Sequence, residues 1–261
     1  MGVVNITPNS FSDGGRFLNE AAAVSHARAL IEAGADMLDI GGESTRPGAQ
    51  PVGEAEEMDR VLPVIAALRR ETAIPISIDT MKPAVARAAV AAGAGMWNDV
   101  TALGAEGSLA TAAELGCDVV LMHMLGDPRT MQDDPRYDHV VADVAVRLVE
   151  RVEAAVAAGV RREAIWLDPG IGFGKRLQHN LALLAHLDQL VGLGHRVLLG
   201  VSRKSFLRKI DPRAAEPSDR LAGSLVCALI GAKAGVAAVR VHDVRETAQA
   251  LWVQAAIDAA R

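Results

Sequence analysis

Eight short apolar runs, each trailed by a stretch of helical periodicity, constrain this chain more than any other feature. They read GVVNI, DMLDI, PISID, GMWND, DVVLMHM, AIWLD, RVLLG and AAVRVHD. Between them, segments such as EAAAVSHARALIEAGA and HVVADVAVRLVERVEAAVAAGV place apolar residues on one helix face and stop at Gly34 and Gly159, as helix C-termini do. The repeat is about thirty residues, the size of one strand-helix unit. Eight units in 261 residues favour an α/β fold, a single (βα)8 TIM barrel, over an open doubly wound sheet, where fewer strands are expected in this length. No Pro- or Ser-rich linker interrupts the series, so residues 1–261 read as one domain with an aliphatic core: 50% of residues are hydrophobic and only 3% aromatic.

The longer polar connections, residues 7–18, 41–53 and 125–138, all follow strands. In a barrel such βα loops form the C-terminal face, where active sites are built. A net charge of −5 without a basic block argues against a nucleic-acid partner. No apolar run approaches the ~18 residues of a membrane span, and Met1 leads into a strand rather than a basic, then apolar, leader. Cys117 and Cys227 lie in apolar contexts without metal-ligand spacing, which suits a reducing compartment. These features describe a soluble, cytoplasmic protein without membrane contact.

The stretch LDPGIGFGK, residues 167–175, has the look of a phosphate cradle but fits neither nucleotide template. A Walker loop needs glycine where Pro169 stands and Ser or Thr where Arg176 stands, and Gly170, Gly172 and Gly174 alternate instead of following G-x-G-x-x-G.

Nearly every apolar run finishes on a side chain that packing alone would not select: Asn5, Asp39, Asp79, Asn98, His123, Asp168, Ser202 with Lys204, and Arg240 with His242. Singly, an Asp there can cap the next helix, an Asn can make a turn, and Arg240 can form a surface ion pair. Together they ring one mouth of a barrel. Asp79 and Asp168 with the amide of Asn98 suit a flat heterocycle bearing several N–H groups. Arg240 and His242, two apart on one strand, are expected to face the same side and, with Asn5, to hold an anion or its metal. Lys204 and Ser205 are expected to open a helix whose N–H groups favour an anionic oxygen. In GGESTRPG, Thr45 and Arg46 are the ligand-touching candidates of a glycine-rich loop. His179 and His186 fall on helical patterns, as surface or capping residues.

The motifs NITPNSFSDGG, GADMLDIGGESTRPG, ISIDT, WNDV, LMHM, LDPGIGFGK, SRKSF and RVHDV occur in the order found in the dihydropteroate synthase family, and the resemblance spans almost the whole chain. It implies a transferase of folate biosynthesis that joins 6-hydroxymethyl-7,8-dihydropterin pyrophosphate to p-aminobenzoate, releasing pyrophosphate and 7,8-dihydropteroate, with Mg2+ as cofactor and sulfonamides as mimics of the amine substrate. By the family's motifs the pterin is held by Asp79, Asn98, Met122, Asp168, Lys204 and Arg240, of which Asp79, Asp168, Lys204 and Arg240 are the catalytic set. Pyrophosphate falls to Asn5, Arg46, Ser205, Arg240 and His242, the metal to Asn5, and p-aminobenzoate to Thr45, Pro47, Phe173 and Ser205. The resemblance also implies a homodimer through outer helices. Asn9 and Leu125 depart from the family, which often has Asp and Gln there. A pterin-binding methyltransferase domain and an inactive pterin-binding protein are alternatives; neither needs the full set of SRKSF, TPNSFSDGG, Arg240 and His242.

Overall fold

In the computed structural model, which describes residues 1–6, 16–44, 50–128 and 130–260, the eight apolar runs form eight strands: β1 (Gly2–Asn5), β2 (Leu38–Gly41), β3 (Ile76–Asp79), β4 (Met96–Asp99), β5 (Asp118–Met122), β6 (Ile165–Asp168), β7 (Arg196–Gly200) and β8 (Ala238–Arg240). Helices follow them in turn: α1 (Arg16–Glu32), α2 (Glu54–Glu71), α3 (Pro83–Ala91), α4 (Ser108–Leu115), α5 (Val140–Ala157), α6 (Leu177–Ala185) with α7 (Leu187–Val191), α8 (Phe206–Ile210) with α9 (Leu221–Ala234), and α10 (Val244–Ala259). The strands pair in chain order, all parallel. A parallel bridge between Gly2 and Val241 joins the last strand to the first and closes the barrel. The expected stops hold, with Gly34 at φ 98° and Gly159 at φ 104°, backbone that a Cβ would strain.

Because side chains alternate along a strand, the sheet has two apolar fillings. One set of positions, including Ile40, Ile78, Trp97, Leu121, Leu167 and Leu199, packs outward against the helices. The other faces the barrel axis, where Met1, Met96, Val120, Trp166 and Leu198 form a separate buried cluster. Two residues further along the same strands, Met96 is succeeded by Asn98, Val120 by Met122, Trp166 by Asp168 and Leu198 by Gly200. The axis therefore changes from an apolar floor to a polar mouth within one alternation, about 7 Å of strand.

Candidate active site

Asp39, Asp79, Asn98, Asp168, Lys204 and Arg240 converge at that mouth. Arg240 ends β8 and turns inward: its Nε donates to Asp39 Oδ2 at 2.5 Å and its Nη2 to Asp79 Oδ2 at 2.7 Å. Asn98 Nδ2 donates to the same Asp39 oxygen at 3.1 Å. Asp39 Oδ1, fully buried, has no hydrogen-bond partner among the described residues. Across the mouth, Asp168 Oδ1 accepts from the Gly170 N–H at 2.6 Å. Lys204 Nζ donates to the carbonyl of Ile171 and lies 4.8 Å above the Phe173 ring centroid.

Two glycines keep the space between these groups open. A Cβ on Gly41 would stand 3.6 Å from Asp79 Oδ2 and 3.7 Å from Asn5 Oδ1, and one on Gly200 would stand 3.6 Å from Lys204 Nζ and 3.7 Å from Asp168 Oδ2. Each is ordinary contact distance, so a larger side chain would fill the mouth without straining the backbone. Beside it, a cavity of about 320 Å³ lined by Val100, Met122, His123, Pro128 and Arg151 separates the β4 and β5 loops.

Burial governs the electrostatics. It pushes Asp79 up to about 7 against the opposing pull of Arg240, with Asp39 adding to the rise. Asp168 is likewise raised by burial, with Lys204 and the Gly170 N–H pulling the other way. Burial lowers Lys204 to about 8 although Asp168 favours its charge. Desolvation alone would lower Arg240, but Asp39 and Asp79 outweigh it and hold the guanidinium above its ordinary range. Carboxylates raised by burial and facing cations in a site of low dielectric respond strongly to a charged or donor-rich ligand.

The LDPGIGFGK stretch is a packed strut between β6 and α6. Gly170, Gly172 and Gly174 all have positive φ, and the loop presses onto the exit of β5: a Cβ on Gly170 would fall 1.9 Å from the His123 carbonyl oxygen, and one on Gly174 2.6 Å from that of Leu125. Tyr137 Oη donates to Gly174 O at 2.8 Å, and the Gly172 N–H donates to Asn180 Oδ1 at 2.7 Å. The glycines thus permit backbone contact with neighbouring protein, while Asp168 at the head of the stretch faces the mouth.

The sequence-derived ring is otherwise assembled with some changes. Arg240 does form ion pairs, but inside the barrel and not on the surface. His242 lies beyond the end of β8 and engages Ser202 Oγ through its backbone N–H at 3.1 Å and Nδ1 at 3.0 Å, so it meets the β7 loop where Arg240 meets β2 and β3. The helix expected from Lys204 and Ser205 starts at Phe206 and has five residues; exposed Ser205 precedes it, and Lys204 acts through its side chain. Asn5 ends β1 at the rim, Met122 is buried at the end of β5, and Phe173 is half-buried beneath Lys204. Thr45, Arg46, Pro47 and Asn9 lie outside the described residues. His179 accepts from the Arg176 N–H at the start of α6, and exposed His186 sits between α6 and α7, the capping and surface positions expected. Leu125 is 38% exposed at the rim. Sequence reasoning placed Asp39 in the ring but not among the binding residues, read Gly41 only as part of the flexible GGESTRPG loop, and gave no role to Gly200 or Lys175. Asp39 carried a signal, being an acidic residue inside an apolar run; the glycines carried none until the register aligned Gly41 with Asp79 and Gly200 with Arg240.

The model of the pterin binding enzymes matches residues 1–242. The dihydropteroate synthase of Escherichia coli K12 is 47% identical over 97% of this chain and 89% of its own length. A solved Xanthomonas albilineans dihydropteroate synthase with 4-aminobenzoic acid superposes with a TM-score of 0.94 at 52% identity, covering 99% of this chain and 92% of that one. A further structure from that organism, in complex with 7,8-dihydropteroate, gives 0.90 at 49% identity over 99% and 93%. Matches of this extent mean that the chain belongs to the pterin binding enzyme family and, within it, to the dihydropteroate synthases.

Proposed function

We propose that the polar mouth condenses 6-hydroxymethyl-7,8-dihydropterin pyrophosphate with p-aminobenzoate. The observation that carries this reading is the pair of carboxylates, Asp168 buried and Asp79 13% exposed in its side chain, on opposite sides of a mouth kept open by Gly41 and Gly200. The ring N–H groups of a pterin are donors, Asp79 and Asp168 are acceptors, and Asn98 and Lys204 supply the complementary donors. Met122 packs beside the ring, and Arg240 lies against it or reaches the phosphate. Asn5, Ser205, Arg240 and His242 face the leaving group, with Arg46 as a further partner. Phe173 and Ser205, with Thr45 and Pro47, border the amine substrate.

The reaction needs no enzyme nucleophile. As the bond between the hydroxymethyl carbon and pyrophosphate oxygen breaks, its electrons leave with pyrophosphate and positive charge spreads into the dihydropterin. Asp79 and Asp168 stabilise that charge, and the cations of the mouth stabilise the departing anion. The p-aminobenzoate nitrogen then bonds to the carbon and loses a proton. Asn5 offers one neutral oxygen at the rim, and no group of three His, Cys, Asp or Glu among the described residues could hold a metal by itself. That donor set fits Mg2+ shared with phosphate oxygens and water; bound so, the ion would neutralise the leaving group.

A homodimer through α9 and α10 is supported by apolar side chains left facing solvent, Val226 and Ile230 on one helix and Trp252, Val253 and Ile257 on the other. Action in the cytoplasm agrees with two free cysteines and with described helices none of which is long and apolar enough to cross a membrane. The decisive measurement is formation of 7,8-dihydropteroate with an equal amount of pyrophosphate by the purified protein, which should require the pterin pyrophosphate, Mg2+ and p-aminobenzoate together; no dihydropteroate with all three would refute the assignment.

A further inference from the structure

Lys175, the last residue of the LDPGIGFGK stretch, is 2% exposed. Its Nζ donates to the carbonyl oxygens of Phe173 at 3.0 Å and His123 at 3.2 Å and stands 3.0 Å from His123 Nδ1. All three partners are neutral: His123 is lowered to about 3, by burial first and then by Lys175, so its Nδ1 lone pair accepts and its ring proton sits on Nε2. No carboxylate among the described residues lies within ion-pair distance of this ammonium. A buried cation without a paired anion is costly, and its burial lowers Lys175 to about 7. A lysine used only to bridge two loops could be replaced by an uncharged donor at less cost, so the charge itself calls for a role. Its strongest electrostatic partner is Asp168, whose carboxylate favours the charged lysine while Lys204 opposes it.

We propose that Lys175 is a positioning residue of the pterin site, which ties the β6 loop to the exit of β5 and adds its positive charge to that of Lys204 around the Asp168 carboxylate. Geometry and charge serve one end. The bonds to Phe173 O and His123 O hold the loop that presents Asp168, the Ile171 carbonyl engaged by Lys204, and the Phe173 ring. The charge offsets the burial that drives Asp168 toward its protonated form, in which it would present a donor to a ring N–H. The groups facing Asp168 and Lys175 are Lys204 from the β7 loop, Arg240 from β8 and His123 from β5, with His179 at the start of α6 near Lys175; among the described cations only Lys175 bonds both the β5 exit and the β6 loop.

This inference rests on Asp168 as the pterin acceptor, so Asp168→Asn is measured alongside. The binding of 6-hydroxymethylpterin is followed by calorimetry from pH 5 to 9 for the unmodified protein, Asp168→Asn, Lys175→Met, Lys175→Gln and Lys175→Arg. Lys175→Met and Lys175→Gln should move the acid limb of the affinity profile upward by about one pH unit, equal to about tenfold weaker binding on that limb. Lys175→Arg, whatever its overall affinity, should keep the limb in place. The two uncharged variants are paired because the amide of Gln can still bond both carbonyls if loss of those bonds in Met prevents folding. A uniform loss of affinity with an unmoved acid limb would make Lys175 a structural strut and overturn the proposal, as would an unchanged profile. Unchanged affinity in Asp168→Asn would instead overturn the placement of pterin on Asp168.

Discussion

The two ends of the barrel are made by the same strands and solve opposite problems. At the floor, Met1, Met96, Val120, Trp166 and Leu198 fill the axis with apolar volume, and at the perimeter Arg196 lies 4.3 Å over the Trp166 ring and 3.1 Å from Asp118. At the mouth charge takes the axis itself: Asp39, Asp79 and Asp168 at the strand ends against Arg240 from β8 and Lys204 from the β7 loop. Apolar burial stabilises at every pH. Buried charge stabilises little or none on balance, and carboxylates raised toward neutrality weaken the fold wherever they are forced to ionise. The difference teaches where stability ends and function begins, since the mouth keeps groups that a folding criterion alone would replace.

The largest effect expected is at Arg240. Arg240→Met leaves fully buried Asp39 and partly exposed Asp79 without their cation, and breaking a buried pair costs about 3–5 kcal/mol. Denaturant unfolding at pH 8 should show that loss, shrinking as the pH falls and the carboxyls protonate, while pyrophosphate release should drop by roughly 10³-fold. A variant of unchanged stability at pH 8 would mean that the mouth is not charge-balanced as described.

At the floor, Trp166→Ala should cost a similar amount of stability, about 3–5 kcal/mol, yet leave kcat/KM nearly unchanged below its own melting range. A comparable loss in turnover would erase the separation between the two ends. Asp168→Asn should do the reverse: weaken pterin binding by roughly 1–3 kcal/mol, the cost of a mismatched buried partner, with stability held or improved. Calorimetry beside a thermal melt reads both.

Asp79 supplies a smaller, pH-dependent signature. Its folded pKa is about 7, above the ordinary carboxylate range, so between about pH 4 and pH 7 the native state binds more protons than the unfolded chain. Stability therefore falls as the pH rises through that window, with a slope of at most about 1.4 kcal/mol per unit for this group. Asp79→Asn should flatten the slope in urea titrations; an unaltered slope would assign the proton to another group. The smallest effect belongs to the floor's perimeter. Arg196 is 43% exposed in its side chain, and Arg196→Ala should cost about 0.5–1 kcal/mol, less at high salt, with no change in turnover.

The amino-acid sequence alone determined the eight strands, the parallel order implied by intervening helices, and most of the ring, because alternating burial and helix periodicity are local signals repeated eight times. Asn98, Asp168 and Arg240 were legible as polar residues closing apolar runs. What the tertiary structure decided depended on register and on contacts between units distant in the chain. Only closure of the barrel brought Arg240 against Asp39, 201 positions away, pairing a residue expected in the ring with a carboxylate of the second strand. Only the register set Gly41 and Gly200 beside the acidic residues as open space, since a glycine's role is defined by what its missing side chain would strike. The glycines of LDPGIGFGK likewise took their meaning from the β5 backbone they touch. Local sequence specifies which way a side chain points along its own strand; what it meets there is set by the seven other strands.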